Sequence, residues 1–112
     1  MMKIEFISAL CLSDPEVCKK LIVQEVPPAA LYEQMAEAAA ELAKASLKMA
    51  GVIRSENPTP VTKREAIAQV VEELSDLMVV CDVAEVAPDE QIKEYKLKRW
   101  AERIFKRKWW AY

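Results

Sequence analysis

From Ala66 to Val86 the chain runs without a glycine or a proline. Apolar residues recur through this run at helical spacing: Ile67, Val70, Val71, Leu74, Leu77, Met78 and Cys81. The run is therefore expected to be one long helix, with that stripe as its core face. At its centre stands Glu72-Glu73-Leu74-Ser75-Asp76. Glu73 and Asp76 are three apart, so they project from one side of the helix, one turn from each other. That side is expected to be the wet one. Val79, Val80 and Val83 then make the C-terminal half apolar nearly all round, as in a helix buried on several sides. Carboxylates on such a helix are costly unless a cation meets them. A divalent metal would do so, because hard cations gather carboxylate oxygens. The plainer alternative is that both acids are solvated or paired with Lys or Arg.

Composition agrees with helix. The chain of 112 residues contains one glycine and is rich in Ala, Glu, Lys and Leu, which points to an all-α protein forming one domain over residues 1–112. The net charge of -2 gives no global attraction to nucleic acid, although the C-terminal end is basic. Three cysteines, Cys11, Cys18 and Cys81, make an odd count without a C-x-x-C pair, so neither a disulfide framework nor a zinc site is expected and a reducing cytosol fits. Histidine is absent. That excludes His-based triads, imidazole bases and His-ligated zinc or iron, and leaves carboxylates, Lys, Tyr or a metal for any catalysis. Ile7 to Leu12 is too short for a leader, and no run approaches membrane-spanning length. A cytoplasmic location without a membrane partner is the expectation.

Turn chemistry divides the rest. Ser13-Asp14-Pro15-Glu16 reads as a helix start with Ser13 as the cap. The short helix is expected to end near Gln24, before Pro27-Pro28. A second helix runs from about Pro28 to Ile53 with the core face Leu31, Met35, Ala38, Leu42, Ala45, Met49 and Ile53. Gly51 and the stretch Ser55 to Pro60 break it. Thr62-Lys63-Arg64-Glu65 has capping-box spacing and opens the helix of the long run, expected to end at Ala87-Pro88. Asp89 can cap a fourth helix reaching about Trp109.

On a wheel of the second helix, Glu37, Glu41, Lys44 and Lys48 fall in one stripe beside the core face. Acids early and lysines late suit the macrodipole, and Glu41 with Lys44 is an ordinary surface pair. If the two long helices pack antiparallel, however, Glu41 approaches Glu73 and Asp76. Carboxylates that close repel and need a counter-ion. Oxygen ligands only, with lysines one or two turns away, suggest Mg²⁺ (Mn²⁺ as an alternative) and a polyphosphate.

These acids resemble the signature of the MazG-like nucleoside triphosphate pyrophosphohydrolases, E-E-x-x-E followed after a spacer by E-x-x-D. Glu41 stands in the first motif and Glu73-x-x-Asp76 forms the second. Gln34 to Ala45 is similar to the family's first motif helix, Asn57-Pro58-Thr59-Pro60 to its connecting loop, and Tyr95 to Arg103 to its basic C-terminal helix, so the likeness spans about residues 30–105. It implies a helical bundle completed by oligomerisation as a homodimer or homotetramer. It also implies Mg²⁺-dependent hydrolysis of an NTP or dNTP to the monophosphate and pyrophosphate by a water that the metal activates. Glu41, Glu73 and Asp76 match metal ligands and catalytic positions. Lys96 and Arg99 match basic positions near the triphosphate. Lys44 and Lys48 are expected along the phosphates, and the loop around Asn57 near the base. One departure stands out: Ala38 occupies the place of the family's second adjacent acid. Glu37, about 40° from Glu41, is the candidate substitute ligand, and Glu37 or Glu72 is the candidate to orient the water.

The basic C-terminal stretch offers a different class of function. Lys96, Lys98, Arg99, Arg103, Lys106, Arg107 and Lys108 alternate with Trp100, Trp109, Trp110 and Tyr112, a pattern able to bind single-stranded nucleic acid by charge and stacking. On that reading the chain is a helical oligomer of the same fold without catalysis, its basic aromatic end serving as the binding element. The overall charge of -2 makes nucleic acid the weaker partner expectation.

Overall fold

Prolines and short polar side chains set where each helix begins. The computed structural model describes residues 12–56 and 61–109, and every regular element among them is an α-helix. They are α1 (Pro15–Glu25), α2 (Pro28–Ile53), α3 (Lys63–Val83) and α4 (Glu90–Trp109). The cap of α1 is Asp14 rather than Ser13: its carboxylate accepts from the Glu16 amide at 3.0 Å. Thr62 caps α3 as expected, its hydroxyl accepting from the Glu65 amide at 3.1 Å. Asp89 caps α4, accepting from the Ile92 amide at 2.9 Å. Pro28 opens α2, where its missing N–H costs nothing.

The helix ends depart from the sequence expectation in an informative way. Gly51 lies inside α2, and the left-handed residue that ends the helix is Ser55, at φ 59°. The Glu56 amide reaches back to Gly51 O and the Ser55 amide to Val52 O. The same paired bonds close α3, from Val86 to Cys81 O and from Glu85 to Asp82 O, with Glu85 at φ 58°. These are Schellman closures built without glycine. Because of the second one, α3 ends at Val83, short of Ala87-Pro88.

Helices α2 and α3 form an antiparallel hairpin that holds most of the packing between helices among the described residues. Leu31, Met35, Ala38, Leu42, Ala45 and Met49 line the inner side of α2, as expected, and all are buried or half-buried. Ile53, expected to continue this face, is 58% exposed, because it stands in the last turn of α2, past the end of the seam. On α3 the inner side differs from the expected one. It comprises Ala66, Val70, Glu73, Leu77 and Val80, spaced four and three apart. Ile67, Val71, Leu74 and Met78 were expected in the core but are 45 to 56% exposed. Apolar residues cover more than half the circumference of α3, and one partner helix can cover only part of it. Ala45 and Ala66 are nearly fully buried, and their short side chains let the two helices approach closely.

Helix α1 packs on α3, with Lys19 reaching Asp82 at 3.9 Å, while α4 projects away from the hairpin. The radius of gyration is 19.8 Å, against about 13 Å for a compact chain of this length. The accessible surface is 9472 Å², about half as much again as the roughly 6,200 Å² of a compact monomer of this mass. No helix among the described residues is long and apolar enough to cross a membrane.

A left-handed residue with a Cβ carries about 1 kcal/mol of strain. Glu85→Gly should therefore raise stability by up to about 1 kcal/mol, a gain of several degrees in thermal midpoint. Differential scanning calorimetry checks this, and a lower midpoint would count against the Schellman closure at Glu85.

Candidate functional site

Because α2 and α3 are antiparallel, residues 34–41 of one lie beside residues 73–80 of the other. Between them opens a cleft of about 590 Å³ lined by Gln34, Glu37, Ala38, Glu41, Glu73 and Asp76, with Ala40, Val79 and Val80 completing the wall. The fold thus brings Glu37, Glu41, Glu73 and Asp76 to one cavity, around the methyl group of Ala38. Ala38 and Glu73 are half-buried on the seam, while Glu37, Glu41 and Asp76 are exposed at the lip. Glu73 was expected on the wet side; it occupies a seam position that an apolar residue would normally fill. Asp76, one turn on, faces solvent at the mouth.

Local bonds hold two of the acids back along their own helices. Gln69 donates to Glu73 at 2.7 Å. Lys44 donates to Glu41 at 3.2 Å. Glu37 and Asp76 have no hydrogen-bond or ion-pair partner among the described residues. In these side-chain positions no group of three or more His, Cys, Asp or Glu among the described residues is spaced to hold a metal ion. Each holding bond is a single i,i+3 or i,i+4 contact on an open surface, worth only a few tenths of a kcal/mol.

The remaining expected site residues are placed less uniformly. Lys44 and Lys48 are exposed on α2 beyond the lip and do not line the cleft. Glu72 is exposed and does not line it either. Lys96 and Arg99 lie on α4, which does not pack against this hairpin, so one chain does not bring them to its own acids. They share a shallow surface hollow with Tyr95, Trp100 and Arg103. Asn57 lies outside the described residues, as does Cys11. Gln34 and Gln69 were not anticipated. The signal was present in their spacing, since Gln34 is one and two turns before Glu37 and Glu41, and Gln69 one turn before Glu73.

The chain matches no family model, and no curated protein or solved structure matches it significantly. A functional reading therefore stands on the cleft and its chemistry.

Glu73 exposes a carboxylate where the packing calls for a hydrocarbon. Glu73→Leu is expected to raise stability by about 1 kcal/mol, the gain from partly burying one more leucine. A thermal melt reads this out, and an unchanged or lower midpoint would show that Glu73 does not sit in the seam.

Proposed function

We propose that the chain is a Mg²⁺-dependent nucleoside triphosphate pyrophosphohydrolase. One observation carries the reading: four carboxylates from two helices line a single open cleft in a chain that has no histidine. An all-oxygen donor set suits a hard divalent cation, Mg²⁺ or Mn²⁺, better than zinc or iron. The cleft volume is also in the range of small-molecule sites. The resemblance of Glu41 and Glu73-x-x-Asp76 to the MazG-like signature adds the substrate class.

In this reading Glu41, Glu73 and Asp76 would hold the metal, and Glu37 stays free of it. The bound cation supplies Lewis-acid activation of water and neutralises charge on the phosphate oxygens. Glu37, at the lip and without a partner, orients the attacking water and accepts its proton. Water adds at the α-phosphorus, the bond to the bridging oxygen breaks, and pyrophosphate leaves. Lys44 and Lys48 line the approach from α2 and offset phosphate charge. Releasing Glu41 from Lys44 and Glu73 from Gln69 requires only weak contacts to break, so both acids can turn toward a cation. The loop around Asn57 is the candidate for base contacts.

Incubation with each NTP and dNTP plus Mg²⁺ should release pyrophosphate from at least one. Asp76→Asn should lower that release by two orders of magnitude or more without lowering the thermal midpoint. No release from any nucleotide would remove the proposal.

Self-association belongs to the same reading. On α3, the exposed stripe Ile67, Val71, Leu74 and Met78 lies on the flank opposite the acid cleft. A second copy packing there would complete the bundle and leave the cleft open. A homodimer or homotetramer is expected in sedimentation, and Val71→Glu should shift it toward monomer. A wild-type monomer at micromolar concentration would contradict this.

A further inference from the structure

The sequence divides its charge along the chain. Residues 12–89 hold fourteen Asp and Glu against seven Lys and Arg, whereas α4 holds eight Lys and Arg against three Glu. Within α4 the acids are partly spent locally: Lys93 pairs with Glu90 at 3.6 Å and Lys98 with Glu94 at 3.1 Å. Both bridges lie off one stripe formed by Lys96, Arg99 and Arg103, which are spaced three and four apart and so share a face. None of these three forms an ion pair among the described residues. A neighbouring face carries Leu97, Trp100 and Ile104, each 46 to 66% exposed. An amphipathic helix of 20 residues, apolar on one side and cationic on another, does not pack closely on any other helix of the described residues.

The acid cleft has the complementary deficit. Glu37 and Asp76 are unpaired, and the cleft wall includes no Lys or Arg. We infer that α4 of a second copy lies across the mouth of the cleft, bringing Lys96 and Arg99 to the acids in trans. The link between α3 and α4 favours a second copy over the same chain. It begins with the Schellman closure at Glu85, which sets the exit direction, and leaves only residues 86–89, including Pro88, before α4 starts. With that exit direction α4 runs away from its own hairpin and does not fold back onto it. Docking in trans buries the Trp100 face, meets negative charge with positive, and supplies the cations that a triphosphate in the cleft would need. The role for these cations rests on the pyrophosphohydrolase reading; the docking itself does not.

The test separates the two. Two full-length chains, with Cys11, Cys18 and Cys81 replaced by Ala, carry Asp76→Cys in one and Arg99→Cys in the other, with different tags. Mixed and mildly oxidised, they should give a disulfide-linked product of twice the chain mass that contains both tags. A mixture that stays reduced overturns the docking. A chain bearing both substitutions that closes on itself as a single chain overturns the trans placement. The activity arm mixes Asp76→Asn with Arg99→Glu: each alone should be inactive, and the mixture should regain pyrophosphate release, because one site in each mixed assembly then has an intact cleft and an intact α4. No recovery in a mixture that does cross-link overturns the role of Arg99 at the site. Cross-linking in a wild-type background that releases no pyrophosphate from any nucleotide would remove the hydrolase reading and leave the docking in place.

Discussion

The seam between α2 and α3 carries most of the contact between helices among the described residues, and the rest of the described structure is arranged around it. It is a narrow seam of Ala, Leu, Met and Val on two helices joined by a short link. Its small residues bring the axes close, and its heptad-like spacing keeps the same sides facing along the whole length. One position breaks the pattern. Glu73 sits among apolar neighbours and opens the seam toward solvent on one flank, where Glu37, Glu41 and Asp76 line the same gap. The local loss of packing and the candidate site are therefore the same feature, as is common where activity requires a polar group in an otherwise apolar contact.

The hairpin consequently has two unlike faces. One flank carries the acids, and the opposite flank of α3 carries Ile67, Val71, Leu74 and Met78. The chain has much surface for its mass, and among the described residues only Leu31, Ala45, Ala66 and Val83 are buried, none of them aromatic. The outward apolar flank and the detached, amphipathic α4 both become reasonable once other copies of the chain are present. Neither needs a membrane or a nucleic acid to account for it, although the charge on α4 is sufficient to attract a polyanion.

Much of the architecture was legible in the residues. The bounds of α2 and α4, the caps Thr62 and Asp89, and the inner face of α2 follow from spacing and from turn chemistry that acts within a few residues. The acids of the cleft were legible as well, because residues 34–41 and 73–80 stand at matching distances from the loop once an antiparallel hairpin is assumed. What could not be read was the face that α3 turns to α2. Its apolar residues surround the helix, so periodicity alone gave Ile67, Val71, Leu74 and Met78 as much claim to the interior as Val70 and Leu77. The Schellman ends at Ser55 and Glu85 were equally hidden, since glycine is their usual marker and neither position has it.

The sequence by itself determined the helical class, the bounds of α2 and α4 and the presence of acids on both long helices. These depend on local hydrogen bonds, capping and propensity, all of which act over one or two turns. Tertiary structure alone decided that Glu73 lies in the seam, that Lys96 and Arg99 stand apart from the acids of their own chain, and which apolar stripe is left outward. Those outcomes depend on the rotation of one helix against another and on the direction a four-residue link gives to the next. A difference of about 100° in that rotation exchanges a core face for a surface, and no pattern within α3 distinguishes the two.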